Sequence, residues 1–140
     1  MATIFTRIID GDLPGTFVWK DEVAVAFLSI NPINTGHVLV VPRDEVDRWL
    51  DLSSHVAQHL MAVSHAIGQA QQQVFQPDRV GLIVAGFEVP HCHVHVIPAD
   101  DMRHLDFANA ASSADPDELE RAARSIRAAL RDLGYSQVSE

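Results

Sequence analysis

The chain has 140 residues, 47% of them hydrophobic, a single cysteine and a formal net charge of −9. That length fits one domain with its own core, the acidic balance argues against non-specific binding to nucleic acid or an anionic membrane, and a lone cysteine excludes an internal disulfide. No signal-like start and no apolar run of the roughly 18 residues needed to span a membrane is present, so a cytoplasmic location is expected.

Thr3 can cap a short helix in which Ile4, Phe5, Ile8 and Ile9 share one side before Asp10-Gly11 stops it. Phe17 to Lys20 and Val23 to Ser29 read as strands around the acidic turn Asp21-Glu22, and His37 to Val41 as a third strand bounded by Gly36 and Pro42. An antiparallel meander follows. From an N-cap at Ser53 or Ser54, the residues Val56, Leu60, Val63, Ile67, Ala70 and Val74 recur every three or four positions, as in a long helix with one buried stripe. Gln71-Gln72-Gln73 reads as its solvated end.

Arg79 to Ala85 predicts a fourth strand and His91 to Pro98 a fifth, joined by Gly86-Phe87-Glu88-Val89-Pro90. The fold class is α+β, a five-stranded antiparallel sheet with the long helix packed on it. Past Pro98 the chain is polar and irregular through Ser113. Asp115 as N-cap, Pro116, Asp117 and Glu118 then open a C-terminal helix, about 115–133, with Leu119, Ala122, Ile126, Leu130 and Leu133 on one face and Gly134 at its end.

The segment His91-Cys92-His93-Val94-His95-Val96-Ile97-Pro98 concentrates the chemistry. Side chains alternate along a strand, so the three imidazoles share one face at intervals of about 6.6 Å, and Cys92, Val94 and Val96 face the other way. A single strand histidine is usually half-exposed or hydrogen-bonded, but that reading does not explain three in alternation. Alternate residues of one strand rarely complete a tetrahedral metal site, and neither a Cys pair nor an HExxH helix accompanies them. Catalysis on an anionic substrate is favoured, with Cys92 a small core residue.

The pattern His-φ-His-φ-His-φ-φ resembles the signature of the histidine triad (HIT) family of nucleotide-binding hydrolases and transferases. The likeness extends to residues 4–11, to Ala26-Phe27-Leu28-Ser29-Ile30 and to Gly36-His37-Val38-Leu39-Val40-Val41-Pro42, in the family's order, and so spans most of residues 2–98. The Hint-type branch, with small single-domain members, is the most similar. The resemblance implies a single HIT-like domain over 1–140, its core in 2–98, with the C-terminal helix as an extension.

It also implies roles for particular residues. His93 would be the nucleophile that attacks the α-phosphorus to form a nucleotidyl-histidine, His95 would contact the phosphate, and His91 and His37 would orient the site and stabilise charge. The nucleoside, a purine by resemblance, would rest against Ile4, Phe5, Ile8, Phe27, Leu28, Ile30 and Leu39, with Ser29 at the ribose position where the family usually has Asp. Glu88 and Val89 would border the phosphates. In some bacterial members an N-terminal Cys pair binds zinc. Thr3 and Thr6 stand at those positions, so no metal or other cofactor is expected.

The chain departs from the family just before the triad. Ala85 stands near the usual Asn, and Phe87-Glu88 replace a polar phosphate-binding pair, which should weaken transition-state stabilisation by about a few kcal/mol unless backbone amides substitute. The leading expectation is an enzyme that cleaves nucleoside phosphoramidates, nucleotidyl adducts or dinucleoside polyphosphates to release a nucleoside monophosphate such as AMP. The rivals are a catalytically weak purine-nucleotide sensor and a metal-binding protein using the triad. The resemblance to Hint-type members, which pair through an edge strand and helix, implies a homodimer through an exposed strand edge, with Ala62, Ala66 and Ala70 of the long helix as a second surface.

Overall fold

The computed structural model describes residues 2–139. Three strands form the expected meander: β1 (Phe17–Lys20), β2 (Ala24–Leu28) and β3 (Val38–Pro42). Strands β4 (Arg79–Ile83) and β5 (Val94–Ala99) complete one antiparallel sheet in the order β1-β2-β3-β5-β4. The last strand is thus inserted between β3 and β4, which carries the histidine segment to the middle of the sheet.

Each face of the sheet has its own cover. Ala24, Ala26, Leu28, Val38, Val40, Val94 and Val96 alternate onto the face packed by helix α2 (Ser54–Phe75), itself flanked by α3 (Pro116–Asp132). Ser53 caps α2 by accepting from the Val56 N–H, and Asp115 caps α3 by accepting from the Asp117 N–H. On the other face Val25, Phe27, Leu39 and Val41 meet Phe5 of helix α1 (Ile4–Ile9), capped by Thr3. Two short 3-10 turns, Met102–Leu105 and Phe107–Asn109, also follow β5. The first lies so close to β4 that a Cβ on Gly81 would come 2.5 Å from the Leu105 side chain.

Several expectations are corrected. Strand β5 begins at Val94, because the Val40–Val94 pair is its first rung with β3, so His91 and His93 precede it. Strand β4 ends at Ile83 instead of reaching Ala85. Gln71 is fully buried, because its amide Nε2 donates to the Gly36 and Val96 carbonyls at 2.8 and 2.9 Å. The tail read as irregular carries the two 3-10 turns, each capped by an aspartate, Asp101 or Asp106.

The two sheet edges differ. β1 is covered by α3 and by the chain end, where Lys20 N–H donates to the Gln137 carbonyl and Ser139 N–H to that of Val18. β4 presents Leu82, which is 42% exposed.

Candidate active site

Although His91 and His93 lie outside the ladder, the alternation holds. Cys92 packs with Val94 and Val96 on the α2 side, and burial pushes its thiol up to about 11, consistent with a core residue. The imidazoles lie on the α1 side in a row of rings. Phe27 meets Phe5 at 5.7 Å between centroids, Phe5 meets His93 at 4.8 Å, His93 meets His95 at 4.9 Å, and His95 meets His37 at 5.1 Å.

Hydrogen bonds assign the protons. The His93 Nδ1–H donates to the His91 carbonyl at 2.8 Å, which leaves Nε2 of His93 with its lone pair. Ile33 N–H donates to Nδ1 of His37 at 3.1 Å, so the His37 proton sits on Nε2 and points to Nδ1 of His95, 2.9 Å away. His95 therefore carries its own proton on Nε2. The site pairs an unprotonated ring nitrogen with a neighbouring donor, the combination that nucleophilic attack on a phosphoryl centre needs.

Burial keeps these rings neutral. Desolvation, with the fields of His95 and His93, lowers His37 to about 3, and desolvation with the field of His93 lowers His95 to about 4. His93 is also lowered, first by desolvation, while its bond to the His91 carbonyl and the Glu88 carboxylate pull the other way. Of these influences on His93, the Glu88 carboxylate is the weakest.

His37 is placed by the turn before it. Gly36 has φ +87°, a conformation open to glycine, and a Cβ there would come 2.3 Å from the Phe75 ring. His91 is pinned from four sides. Its N–H donates to the Val89 carbonyl at 2.8 Å and its carbonyl accepts from His93. Its Nε2 donates to the Pro42 carbonyl at 2.8 Å, and its Nδ1 lies 2.8 Å from the Thr3 hydroxyl.

Beside the histidines, Phe5, Phe27 and Leu39 form a buried apolar floor with Ile8 and Val89 packed against it. Ile4 and Ile30 are 46% and 64% exposed. Ser29 accepts from Asn31 N–H through its hydroxyl. Leu28 is not part of this set. It packs in the core beneath α2, because neighbours on one strand face opposite sides and Phe27 takes the cleft side.

The loop at 84–90 meets the residues after β3 around a cleft of about 190 Å³ bordered by Trp49, Leu50, Val84, Gly86 and His93. Phe87 is 97% exposed and Trp49 54%, so both are surface side chains at the mouth of this loop. Pro42 and Ile33, whose backbone groups orient the histidines, carry no side-chain signal that could have revealed them. Phe107 was also missed, although it stacks edge-on against His95 at 4.8 Å. The Asp106 cap before it was the available clue.

Thr3 and Thr6 direct their hydroxyls to His91 and Glu45. Neutral hydroxyls are poor zinc ligands, and among the described residues no group of three His, Cys, Asp or Glu side chains is arranged to hold a metal ion, so these residues do not fit a zinc site. His59, at helical spacing from His55, instead bonds Asp21 Oδ2 at 2.7 Å.

The model of the HIT domain matches residues 10–102. The adenosine 5'-monophosphoramidase of Schizosaccharomyces pombe is 33% identical over 102 residues, which cover 70% of this chain and 74% of that protein. The asymmetrical bis(5'-nucleosyl)-tetraphosphatase of the same yeast is 34% identical over 85 residues, 57% and 47% of the two chains. Among solved structures, a Zn-bound histidine triad family protein from Mycobacterium smegmatis aligns with a TM-score of 0.80 at 28% identity, covering 95% of this chain and 96% of that one.

Proposed function

This chain belongs to the histidine triad family, and on that premise we propose that it is a nucleotide-binding hydrolase or nucleotidyl transferase. It breaks a phosphoramidate or phosphoanhydride bond at the α-phosphorus and releases a nucleoside monophosphate. The observation that carries this reading is the bond from His93 Nδ1–H to the His91 carbonyl, which leaves the other ring nitrogen unprotonated.

In the first step His93 Nε2 forms a bond to the α-phosphorus as the bond to the leaving amine or phosphate breaks, and the departing group takes its proton from solvent. The ring becomes cationic. Its Nδ1–H bond to the His91 carbonyl then becomes charge-assisted and stronger, and the Glu88 carboxylate favours the cation. His95 Nε2–H donates to a phosphoryl oxygen, where negative charge grows. Water or another acceptor then adds to phosphorus, the P–N bond breaks, and the acceptor's proton passes to solvent.

The purine nucleoside lies between Ile4 and Ile30 over Phe5, Phe27 and Leu39, with the Ser29 hydroxyl near the ribose. The 84–90 loop favours a second reading, a nucleotide sensor of low turnover, since Ala85 and an outward-facing Phe87 offer the phosphates no side-chain donor. No described helix is long and apolar enough to cross a membrane. We further propose a homodimer through the β4 edge. Ala66 and Ala70 cannot serve it, because both are buried against the sheet.

Incubation with adenosine phosphoramidate separates the readings. AMP release that resists chelators supports the enzyme, whereas tight AMP binding without turnover supports the sensor. His93→Ala should abolish turnover and leave AMP affinity within about threefold, since it removes the attacking atom and keeps the apolar floor. Turnover near the parent rate would refute the role of His93.

A further inference from the structure

We propose that Thr3 is a positioning residue for the nucleophile. It acts through His91, which its hydroxyl holds in the orientation that His93 requires. The proposal rests on the nucleotidyl-transfer reading above and extends it to the start of α1.

The argument follows protons along one chain of bonds. The Pro42 carbonyl can only accept, so Nε2 of His91 carries a proton toward it at 2.8 Å, and in the neutral ring Nδ1 is an acceptor. His91 is fully buried, and a buried acceptor without a donor is costly. Two hydroxyls approach that nitrogen, Thr3 at 2.8 Å and Thr6 at 3.4 Å. A hydroxyl has one proton, and Thr6 directs its own to Glu45 Oε1 at 2.7 Å. The same oxygen accepts the Thr3 N–H, also at 2.7 Å. Glu45 thereby holds the helix start in place and occupies Thr6, so that Thr3 alone supplies His91.

The consequence reaches the reacting atom in two steps. His91 held at both ring nitrogens cannot rotate its ring or exchange tautomers without breaking a bond, and its carbonyl stays aligned with Nδ1 of His93 at 2.8 Å. Phe5, two residues beyond Thr3, packs on both imidazoles, with centroids at 5.8 Å from His91 and 4.8 Å from His93. The short helix that walls the nucleoside cleft and the carbonyl that orients the nucleophile are therefore fastened through one hydroxyl. A misplacement of a reacting group by about 1 Å can lower a rate 100-fold, so this fastening acts on kcat more than on binding.

Thr3 also caps α1 by accepting the Thr6 N–H at 3.1 Å, so the test separates donor from cap. Thr3→Ser keeps both roles, whereas Thr3→Asp keeps the cap and lacks the proton at neutral pH. Expected for Thr3→Asp are a fall in kcat of roughly tenfold or more, KM within about threefold, and ¹⁵N resonances showing His91 doubly protonated or in its other tautomer. Thr3→Ser should keep the parent kcat and ring signals. The proposal is overturned if Thr3→Asp retains the parent kcat or the parent His91 signals, or if Thr3→Ser loses as much as Thr3→Asp. Ring signals are read in the resting protein, so a parent without turnover would overturn the nucleotidyl-transfer reading while the Thr3–His91 bond is still judged by NMR.

Discussion

His37 donates through Nε2 to Nδ1 of His95 at 2.9 Å, and this bond decides which proton His95 presents to a substrate. The order is imposed from outside the pair, because the Ile33 N–H occupies Nδ1 of His37. Replacing His37 by Phe keeps a ring and removes the donor. His95 is then free to place its proton on Nδ1, which turns its Nε2 from a donor to phosphate into a repelling lone pair. The expected outcome is a loss of about 100-fold in kcat, comparable to removing one oxyanion donor, with AMP affinity changed far less. Steady-state kinetics and AMP titration check it, and a parent-like kcat would remove His37 from the relay.

The depressed histidines set the pH response. His37 and His95 titrate near 6.5 when unfolded and at about 3 and about 4 in the folded chain, both lowered chiefly by burial. Their folded pKa values lie below the unfolded ones, so stability is fully present above pH 6.5. It declines as pH falls from there to about 4 for His95 and about 3 for His37, because the unfolded chain takes up protons that the native one refuses. Each such proton steepens the loss by about 1.4 kcal/mol per pH unit. His37→Phe should show a shallower decline over that window in denaturant titrations. The acid limb of kcat/KM should likewise lie below pH 6.5, since His93 is also lowered. A limb centred at or above that pH would contradict the neutral site.

Much of this arrangement is legible in the sequence for physical reasons. Period-two alternation placed Cys92 and the histidines on opposite faces, since that rule follows from extended backbone and survives where the ladder has not yet begun. Helix caps at Thr3 and Asp115, and one at Ser53 or Ser54 that the structure assigns to Ser53, are legible because they depend on residues three apart or fewer. Gln71 was misread because its burial depends on two carbonyls from distant segments. Phe107 and Glu45 escaped for the same reason. Their partners lie 12 to 42 residues away, and no local pattern encodes that distance.

Phe27 and Leu28 make the face assignment testable, being neighbours assigned to opposite faces. Leu28→Ala should cost about 2–5 kcal/mol of stability, as expected for a buried leucine under α2, and leave AMP affinity unchanged once the protein is folded. Leu39→Ala, on the cleft floor, should lower AMP affinity as well as stability. Equilibrium unfolding and calorimetric titration of both variants give the comparison. A Leu28→Ala protein that folds stably but binds AMP poorly would reverse the assignment.

Glu88 pulls in two directions. In the proposed reaction its carboxylate would repel the phosphates of an approaching nucleotide and favour the cationic ring of the intermediate. Glu88→Ser should therefore lower KM, most strongly at low salt where screening is weak, while slowing formation of the nucleotidyl-histidine relative to its breakdown. Rapid-quench trapping of the labelled adduct at two ionic strengths measures both effects. Unchanged KM at low salt would mean that the carboxylate does not act on the bound phosphates.

The β4 edge should govern self-association. β1 is closed by the chain end at residues 137–139, whereas β4 leaves its outer N–H and C=O groups for another strand, beside exposed Leu82 and Val84. Pairing two β4 strands antiparallel across a two-fold axis would satisfy those groups on both chains and cover the apolar side chains together. A lysine at position 82 places a charge in that seam and is a device by which natural edge strands resist pairing. Sedimentation equilibrium at micromolar concentration should give twice the 15.4 kDa chain mass for the parent and a shift toward the single mass for Leu82→Lys. A parent sedimenting as 15.4 kDa would exclude the dimer, and a Leu82→Lys protein as dimeric as its parent would move the interface away from β4.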